Sequence, residues 1–352
     1  MVTHIDLCWK KKHAKYLGLV IDAKLNFTQE MLERSQALLT NSWRIFQFSG
    51  PVDGLDSGTL NLILTSYLKS LLTYGAHIWI FKCFREPLQP LQKPYYGYAK
   101  YWSGKDGIFT RYNRMQRAII GAKNGTDSVG LLVRGGWLPL HYELALSGFM
   151  IFHKIHSGDA GTAMYRQLRE FHSSDETWDD TIFYKICYDN IKHFENFLEP
   201  SNIPLLSLPR ERFKNLIRKA METQLTLFWK NYNHAKHTRD LIPNWTSFCL
   251  PPSHVSRRAE VLYYTFSFAQ NETKLFRHKI KKSSNALCRA CGMEEETVSH
   301  IFLECPKYSA KRKVLFDTDS KYKLDPTLSN ILIHPQMKTS AEVFIQHTLV
   351  CK

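Results

Sequence analysis

The sequence predicts a mainly α protein with a short β-hairpin near its start and a small cysteine-rich segment near its end. Three observations predict this fold class. Apolar residues recur at three- and four-residue spacing in several segments, the clearest strand-like run lies in the first 27 residues, and three cysteines and one histidine crowd into residues 288–305. The 352 residues are enough for a large core divided among two or three units.

Residues 1–27 are the predicted β element. The segment "AKYLGLVIDAKLNF", residues 14–27, contains a strand-like apolar run from Tyr16 to Ile21, which Asp22 closes before a second short β-prone piece. We interpret it as a hairpin or a terminal strand pair. The lysines before it are candidate nucleic-acid contacts because they make its entry strongly basic: Lys10, Lys11 and Lys12.

Residues 28–158 are predicted to be helical. Thr28 is a candidate N-cap, and the face that follows it is mostly apolar: Met31, Leu32, Ser35, Leu38, Leu39 and Trp43. A second amphipathic helix runs from Leu60 to about Tyr74. A further helix over residues 110–122 carries three arginines on one side, which are candidate nucleic-acid contacts: Arg111, Arg114 and Arg117. Another helix begins after Pro139.

Residues 82–108 interrupt this region with an irregular insertion rich in proline, tyrosine and glycine. Such a composition predicts a long surface loop without packed elements. Its aromatic side chains are alternatively suited to stacking on unpaired bases. Residues 159–284 follow as mixed helices and loops with a hinge in residues 202–209, and residues 285–352 form the metal-binding segment and a basic tail.

The cysteine pattern is the strongest single signal in the sequence. Cys288, Cys291, His300 and Cys305 give the spacing C-x2-C-x8-H-x4-C, which brings four ligands to one tetrahedral zinc ion. Gly292 favours the tight turn of the first pair, Thr297 can cap a short helix that carries His300, and Pro306 keeps Cys305 out of helical geometry. We therefore predict a structural zinc ion. We name residues 288–305 the knuckle.

The other five cysteines are scattered singly, and buried thiols are expected at most of them. No pattern of a secretory signal is found at the N-terminus, so eight cysteines favour thiols or metal ligands over disulfides and the expected location is cytoplasmic or nuclear. The most apolar stretch, residues 60–81, is broken by Lys69 and His77. No membrane association is therefore expected.

Charge points to a polyanionic partner. Lysine and arginine outnumber aspartate and glutamate by 47 to 32, which gives a formal charge of +15 and favours RNA or DNA. The knuckle itself has one arginine against four glutamates, a net charge of −3, whereas both of its flanks are basic. The flanks supply further candidate nucleic-acid contacts: Lys279, Lys281 and Lys282 before the knuckle, and Lys307, Lys311, Arg312 and Lys313 after it. On this interpretation the metal joins two basic flanks into one surface.

Two alternatives stay open. The lysines could be no more than a solvated face. The chain could also be a protein-interaction module in which the acidic knuckle docks a partner and the positive charge is incidental. Nucleic-acid binding weakens steeply as salt rises, so salt dependence separates binding through phosphates from docking through the knuckle.

Six segments occur in an order that resembles the C-terminal part of reverse transcriptases from non-LTR (LINE-type, jockey-like) retrotransposons. They are "KYLGLVID" (15–22), "YGAHIW" (74–79), "MQRAIIGA" (115–122), "GGWLPL" (135–140), "HTRDLIPNW" (237–245) and "CRAC…EETVSHIFLECP" (288–306). The resemblance covers nearly the whole chain, and its most specific motif is the last one. It departs from the family at the 82–108 insertion and fits the connector only loosely around residues 239–245.

The resemblance implies a domain order and a role. Residues 1–27 would be the end of the polymerase palm and the remnant of its sheet, 28–158 a helical thumb, 159–284 a helical connector that includes Arg239 in a segment facing nucleic acid, and 285–352 the zinc knuckle with its tail. In an intact polymerase these parts would hold element RNA and target DNA while a palm with Mg²⁺ copies the RNA. The alternative origin is a transposon-derived interaction module.

The carboxylates of such a palm are missing from this sequence. Two-metal phosphoryl transfer needs clustered aspartates, which the family places in an aromatic-x-Asp-Asp turn before "KYLG". The one Asp-Asp pair is Asp179-Asp180, far downstream and in "SSDETWDDTIF". We therefore expect no catalytic residues, and a chain that binds RNA or DNA as a fragment of a polymerase without catalysing its reaction.

Overall fold

The computed structural model describes residues 13–22, 26–84, 87–94, 98–157, 182–201, 203–248, 250–322 and 324–350. Over these residues the protein is mainly helical with one two-stranded antiparallel sheet, as predicted. Its helices are α1 (Thr28–Phe48), α2 (Ser57–Ile63), α3 (Lys69–Thr73), α4 (Ala76–Cys83), α5 (Ala99–Ser103), α6 (Ile108–Ile120), α7 (Ser128–Gly135), α8 (Leu140–His156), α9 (Ile182–Glu195), α10 (Arg210–Lys230), α11 (Lys236–Leu241), α12 (Arg257–Thr265), α13 (Lys274–Lys279), α14 (Ser309–Tyr322), α15 (Leu328–Ile333) and α16 (Lys338–Ile345). Within the described ranges, no helix combines the length and the hydropathy that crossing a bilayer requires.

The sheet is the predicted N-terminal hairpin, although its turn lies elsewhere than expected. Strands β1 (His13–Tyr16) and β2 (Leu19–Asp22) pair with His13 opposite Asp22. The turn falls at Leu17 and Gly18, inside the apolar run that was predicted as one strand, because both residues have positive φ angles of 46° and 81°. Two successive positive φ angles are typical of the tight turns that match the twist of a hairpin.

Helix α1 begins with Thr28 as its first residue and not as its predicted N-cap, because the backbone N–H and the hydroxyl of Thr28 both donate to the side chain of Asn26. The helix buries only part of the predicted apolar face. Met31, Ser35 and Leu38 are buried, whereas Leu32, Leu39 and Trp43 are exposed. The spacing pattern therefore identified the helix correctly and set its buried face too wide. The second predicted helix also holds: α2, a π-helical turn at Leu64–Leu68 and α3 follow one another and end before Tyr74.

The described part of the 82–108 insertion is packed rather than a plain surface loop. It contains the short helix α5, and Phe84, Leu88 and Trp102 are buried. The rings of Phe84 and Trp102 meet edge to face with 5.2 Å between centroids. Burial of these large apolar side chains stabilises the segment despite its proline and glycine content.

The chain divides into two compact units that interleave along the sequence. The first draws on Met1–Asn41, Ser66–Tyr112 and Leu138–Phe228, and the second on Ser42–Thr65, Asn113–Trp137 and Trp229–Lys352. The region predicted as a thumb therefore contributes to both units. The knuckle belongs to the second unit together with segments that lie far upstream of it in sequence.

In the first unit, α4 packs along α8. The contact is close because Gly148 has no side chain: a Cβ atom there would lie 2.4 Å from the ring of Phe81. The ring of Phe149 lies 5.7 Å from that of Phe81 and 6.1 Å from that of Phe194 on α9. These aromatic contacts form the centre of the first unit's core.

In the second unit, α12 and α14 both pack on α16, and α11 packs on α15. Residues from the early segments complete this core. The Trp137 side chain donates a hydrogen bond to Asn61 (2.8 Å), and the Trp245 side chain donates to the carbonyl of Trp137 (3.1 Å). The segments "GGWLPL" and "HTRDLIPNW", singled out in the sequence, therefore meet through a buried hydrogen bond.

Candidate metal centre

The knuckle brings its four predicted ligands to one point. The Sγ atoms of Cys288 and Cys305 lie 3.8 Å apart, and Cys291 Sγ lies 3.4 Å from Nε2 of His300. All four ligand atoms lie within 4.8 Å of one another. A tetrahedral ion with Zn–S distances of about 2.3 Å and a Zn–N distance of about 2.0 Å separates its ligands by roughly 3.5–3.8 Å. The geometry therefore fits a four-coordinate metal ion.

The local sequence explains how the chain forms this site. The backbone N–H of Gly292 donates to the carbonyl of Cys288 (2.8 Å), and Gly292 adopts a φ of 69° that closes the first turn. Thr297 Oγ1 accepts from the backbone N–H of His300 (2.8 Å), which caps the helical turn that carries the imidazole. Cys305, before Pro306, has left helical geometry with φ −53° and ψ 118°. All three predictions about these residues are confirmed.

Two glutamates hold the histidine from its other side. Nδ1 of His300 lies 2.9 Å from a carboxylate oxygen of Glu294 and 3.8 Å from one of Glu304. Since Nε2 faces the cysteines, these carboxylates orient the imidazole for metal binding. The ligand atoms of Glu294, His300 and Glu304 also lie within 4.8 Å of one another, but only Nδ1 of His300 faces the two carboxylates, because Nε2 faces the cysteines. We assign the glutamates to ligand orientation.

The thiols differ in their readiness to bind a metal. A hydrogen bond from the Met293 backbone lowers the pKa of the Cys291 thiol to about 6, so this sulfur is largely a thiolate at neutral pH. Burial raises the pKa of the Cys305 thiol to about 11. A bound cation would favour loss of that proton, because metal ligation requires the thiolate.

Glu296 is a functional residue that sequence reasoning missed. It is buried, and its carboxylate accepts from Nη2 of Arg289 (2.6 Å) and from the backbone N–H groups of Arg289 (2.9 Å) and Lys274 (2.8 Å). The pair therefore joins the start of α13 to the turn between Cys288 and Cys291. No local signal separates Glu296 from its neighbours, because Glu294 and Glu295 are both exposed and the burial of Glu296 depends on Arg289 and the start of α13.

Arg312 makes the equivalent connection on the other flank. It is buried, and its guanidinium donates to the carbonyls of Leu303 and Cys305. The ring of Phe302 then anchors the knuckle in the second unit, 5.7 Å from Phe266 and 5.3 Å from Phe344. Both flanks are thus tied to the metal ligands by hydrogen bonds that do not involve the metal.

The predicted nucleic-acid contacts fall into three groups. The exposed ones are Lys279, Lys281, Lys282, Lys307, Lys311, Lys313 and Arg114. Those with internal partners are Arg111, Arg117, Arg239 and Arg312, together with Lys311, whose ammonium donates to the carbonyl of His347. Lys10, Lys11 and Lys12 lie outside the described residues. Nucleic-acid binding by all of them stays a prediction.

The arginines show how little the helical pattern says about exposure. Arg111 is buried and donates to Asp106 (3.0 Å) and Ser35 (3.1 Å). Arg117 donates to Asn113 (3.0 Å) and to the carbonyl of Thr126 (2.6 Å). These guanidinium groups stabilise their surroundings, which leaves them less capacity to bind phosphate than Arg114 has.

Of the remaining cysteines and the aspartate pair, the structure describes two cysteines. Cys83 and Cys187 are buried free thiols, as predicted for the scattered cysteines, and burial raises the pKa of both. Cys8, Cys249 and Cys351 lie outside the described residues. So do Asp179 and Asp180, whose expected lack of a catalytic role stays a prediction.

The Glu296→Gln variant should lose about 2 kcal/mol of unfolding free energy at neutral pH, because it removes the charge-assisted hydrogen bonds to Arg289. Burial alone would raise the pKa of Glu296, but these bonds and those from the backbone hold it below its ordinary value of 4.5. The stabilisation is therefore present above about pH 4.5 and is lost as the pH falls through the lower, folded-state pKa.

Denaturant titrations of Glu296→Gln and of its exposed neighbour variant Glu295→Gln, from about pH 7 to pH 3, measure this difference. Acid release of a metal affects both variants alike. We expect the gap between them to be widest at neutral pH and to close in acid. A gap of the same size at every pH would contradict the assigned role of the Glu296 charge.

Comparison with protein-family models, with curated proteins and with solved structures finds no match to this chain.

Proposed function

We propose that the chain is the C-terminal part of a non-LTR retrotransposon reverse transcriptase, that its knuckle binds structural zinc, and that it holds RNA or DNA on the basic flanks of the knuckle. The observation that carries the proposal is the joining of both flanks to the metal ligands. Glu296 connects the start of α13 to the first cysteine pair, and Arg312 connects α14 to Cys305. Exposed lysines on both sides are thereby fixed relative to one rigid centre.

Zinc is the metal that this donor set favours. Three thiolates and one imidazole in tetrahedral array are typical of structural zinc sites, and no position is left open for a substrate. When bound, zinc would cross-link the turn at residues 288–291 to the segment at residues 300–305. The chain's own residues do the rest: Glu294 and Glu304 orient His300, and Phe302 inserts into the core.

The acidic residues of the knuckle favour this function over the interaction module. Glu296 is buried against Arg289, and Glu294 and Glu304 face His300. Among the four glutamates, Glu295 is the exposed one for which the structure describes no carboxylate contact to Arg289 or His300. Glu294 and Glu304 are exposed but face the imidazole, so one exposed carboxylate is left without such a contact, whereas the flanks present five exposed lysines besides Lys311.

Binding of a single-stranded RNA at two salt concentrations tests the proposal. Phosphate contacts release counterions, so the affinity should fall steeply between the lower and the higher salt concentration. Equal affinity at both would refute nucleic-acid binding. The interaction module would be favoured if the chain bound a partner protein with an affinity that does not depend on salt, and if the Glu295→Gln change abolished that binding.

This chain, given primer, template, nucleotides and Mg²⁺, should extend nothing, because its sequence has no aromatic-x-Asp-Asp turn to hold two metal ions. A gel-based extension assay measures this, with an active reverse transcriptase as the positive control. Extension that disappears after the changes Asp179→Asn and Asp180→Asn would show that the pair is catalytic after all.

A further inference from the structure

The second unit contains a partly open cavity of about 550 Å³ that has no part in the metal centre. Its walls come from the end of α7, from residues 242–248 and Pro251, from α12, and from α15, the start of α16 and the residues between these two helices. A volume of this size lies within the range of about 300–1,000 Å³ that small-molecule sites occupy.

Most of the wall is apolar and preformed. Ile242, Phe248 and Ile333 line it together with the rings of two tyrosines. Phe248 donates its backbone N–H to the carbonyl of Gly136 (3.2 Å), and its ring lies where a side chain at Gly136 would be, 2.5 Å from the position of a Cβ atom. Gly136 also has a φ of 65°, so glycine is required there on both counts.

One buried cation in this wall, Arg134, has only neutral partners. It is 3% exposed and donates to the hydroxyl of Ser267 (2.8 Å) and to the carbonyl of Leu332 (3.0 Å). Its guanidinium carbon also lies 4.9 Å and 4.6 Å from the ring centroids of Tyr263 and Tyr264. Among the residues that the structure describes, no carboxylate lies within 4.0 Å of it.

The other buried cations nearby do have carboxylates. Arg257 lies 2.8 Å from Glu260, and Lys338 lies 3.4 Å from Glu342. Both glutamates are therefore already engaged, and Lys338 also lines the cavity. A buried charge without a counter-ion is strongly destabilising, so an arginine in this position calls for an anion from outside the chain.

We propose that the cavity binds a small organic anion, with its acidic group toward Arg134 and a planar apolar body against Phe248 and the aliphatic side chains. Such a ligand supplies the missing negative charge where water is largely excluded. The aromatic rings beside the guanidinium favour a flat body over a branched one. The site is independent of nucleic-acid binding by the knuckle flanks.

Two fluorescent dyes with nearly the same body test the role of charge: anilinonaphthalene sulfonate, which is anionic, and phenylnaphthylamine, which is neutral. The wild-type chain should bind the sulfonate dye, and Arg134→Gln should weaken that binding by about tenfold or more while changing the neutral dye little. Arg134→Lys should restore part of the sulfonate affinity. Arg114→Gln, which removes an exposed arginine of the same unit, should change neither.

The Phe248→Ala variant tests the site independently if the Arg134 variants do not fold. Phe248 is 43% exposed, so its truncation should leave the core intact. It should weaken both dyes, since it removes the wall against which either body packs. Sulfonate binding that is equal in wild type and Arg134→Gln, or dye binding that Phe248→Ala leaves unchanged, would overturn the proposal.

Discussion

Removal of the proposed zinc ion with a strong chelator is expected to unfold the knuckle and to lower the thermal stability of the whole second unit. Structural zinc sites contribute about 10–16 kcal/mol of folding free energy at neutral pH. The effect should reach beyond the knuckle, because Phe302 packs against Phe266 and Phe344 at the centre of that unit. The first unit has its own core and should keep most of its helical structure.

Metal analysis and circular dichroism measure this outcome. Protein purified under reducing conditions without chelator should contain about one zinc per chain. Cys291→Ser should abolish that content and unfold residues 285–306, whereas the control Cys83→Ala, at a buried thiol of the first unit, should keep it. Zinc-free wild-type protein with an unchanged melting curve would refute the metal site.

Neutralising the exposed lysines of both flanks should produce the second large effect. The variant that changes Lys279, Lys281, Lys282, Lys307 and Lys313 to glutamine should lower the slope of log affinity against log salt by as much as about 3.5, at about 0.7 per phosphate contact with single-stranded RNA. Arg312 and Lys311 are left in place because both have internal partners. Changing Arg312 would disturb the knuckle itself.

The matched control removes the same charge elsewhere. Exposed lysines of the first unit serve this purpose: Lys93, Lys100, Lys105, Lys185 and Lys219 changed to glutamine. A filter-binding titration with one RNA at several salt concentrations compares the two variants. If both lower the slope equally, the binding follows net charge alone and the flanks are not a site. Glu295→Gln should strengthen binding modestly, because it removes like-charge repulsion near the phosphates.

The sequence predicted the metal centre well because its information is local. The spacing of four ligands, a glycine in the turn, a threonine cap and a proline after the last cysteine each act within a few residues. Each was confirmed by the geometry of its own segment. The mainly helical class followed in the same way from apolar spacing, and the hairpin from its short apolar run.

What the sequence did not predict depends on partners far away in the chain. Arg111 and Arg134 are both buried, and nothing in their sequence neighbours distinguishes them from exposed Arg114. Arg111 donates to Ser35 and Arg134 to the carbonyl of Leu332, which lie 76 and 198 residues away. A guanidinium is buried where hydrogen-bond acceptors from other segments converge on it, and only the tertiary structure brings those acceptors together. The same holds for Leu32 and Leu39 on α1. Their helical spacing predicts burial, but in the part of the chain that the structure describes both are exposed.

The interleaving of the two units has a consequence for synthesis. The buried carboxylate of Glu260 accepts from the backbone N–H of Ser57, 203 residues earlier in the chain (2.9 Å). At about 5–20 residues per second, the ribosome takes roughly 10–40 s to make that separation. During that interval the segment around Ser57 has been synthesised but its partner has not, so the second unit can complete its core only late in synthesis. Until then the apolar faces of its early helices stay exposed and prone to aggregation.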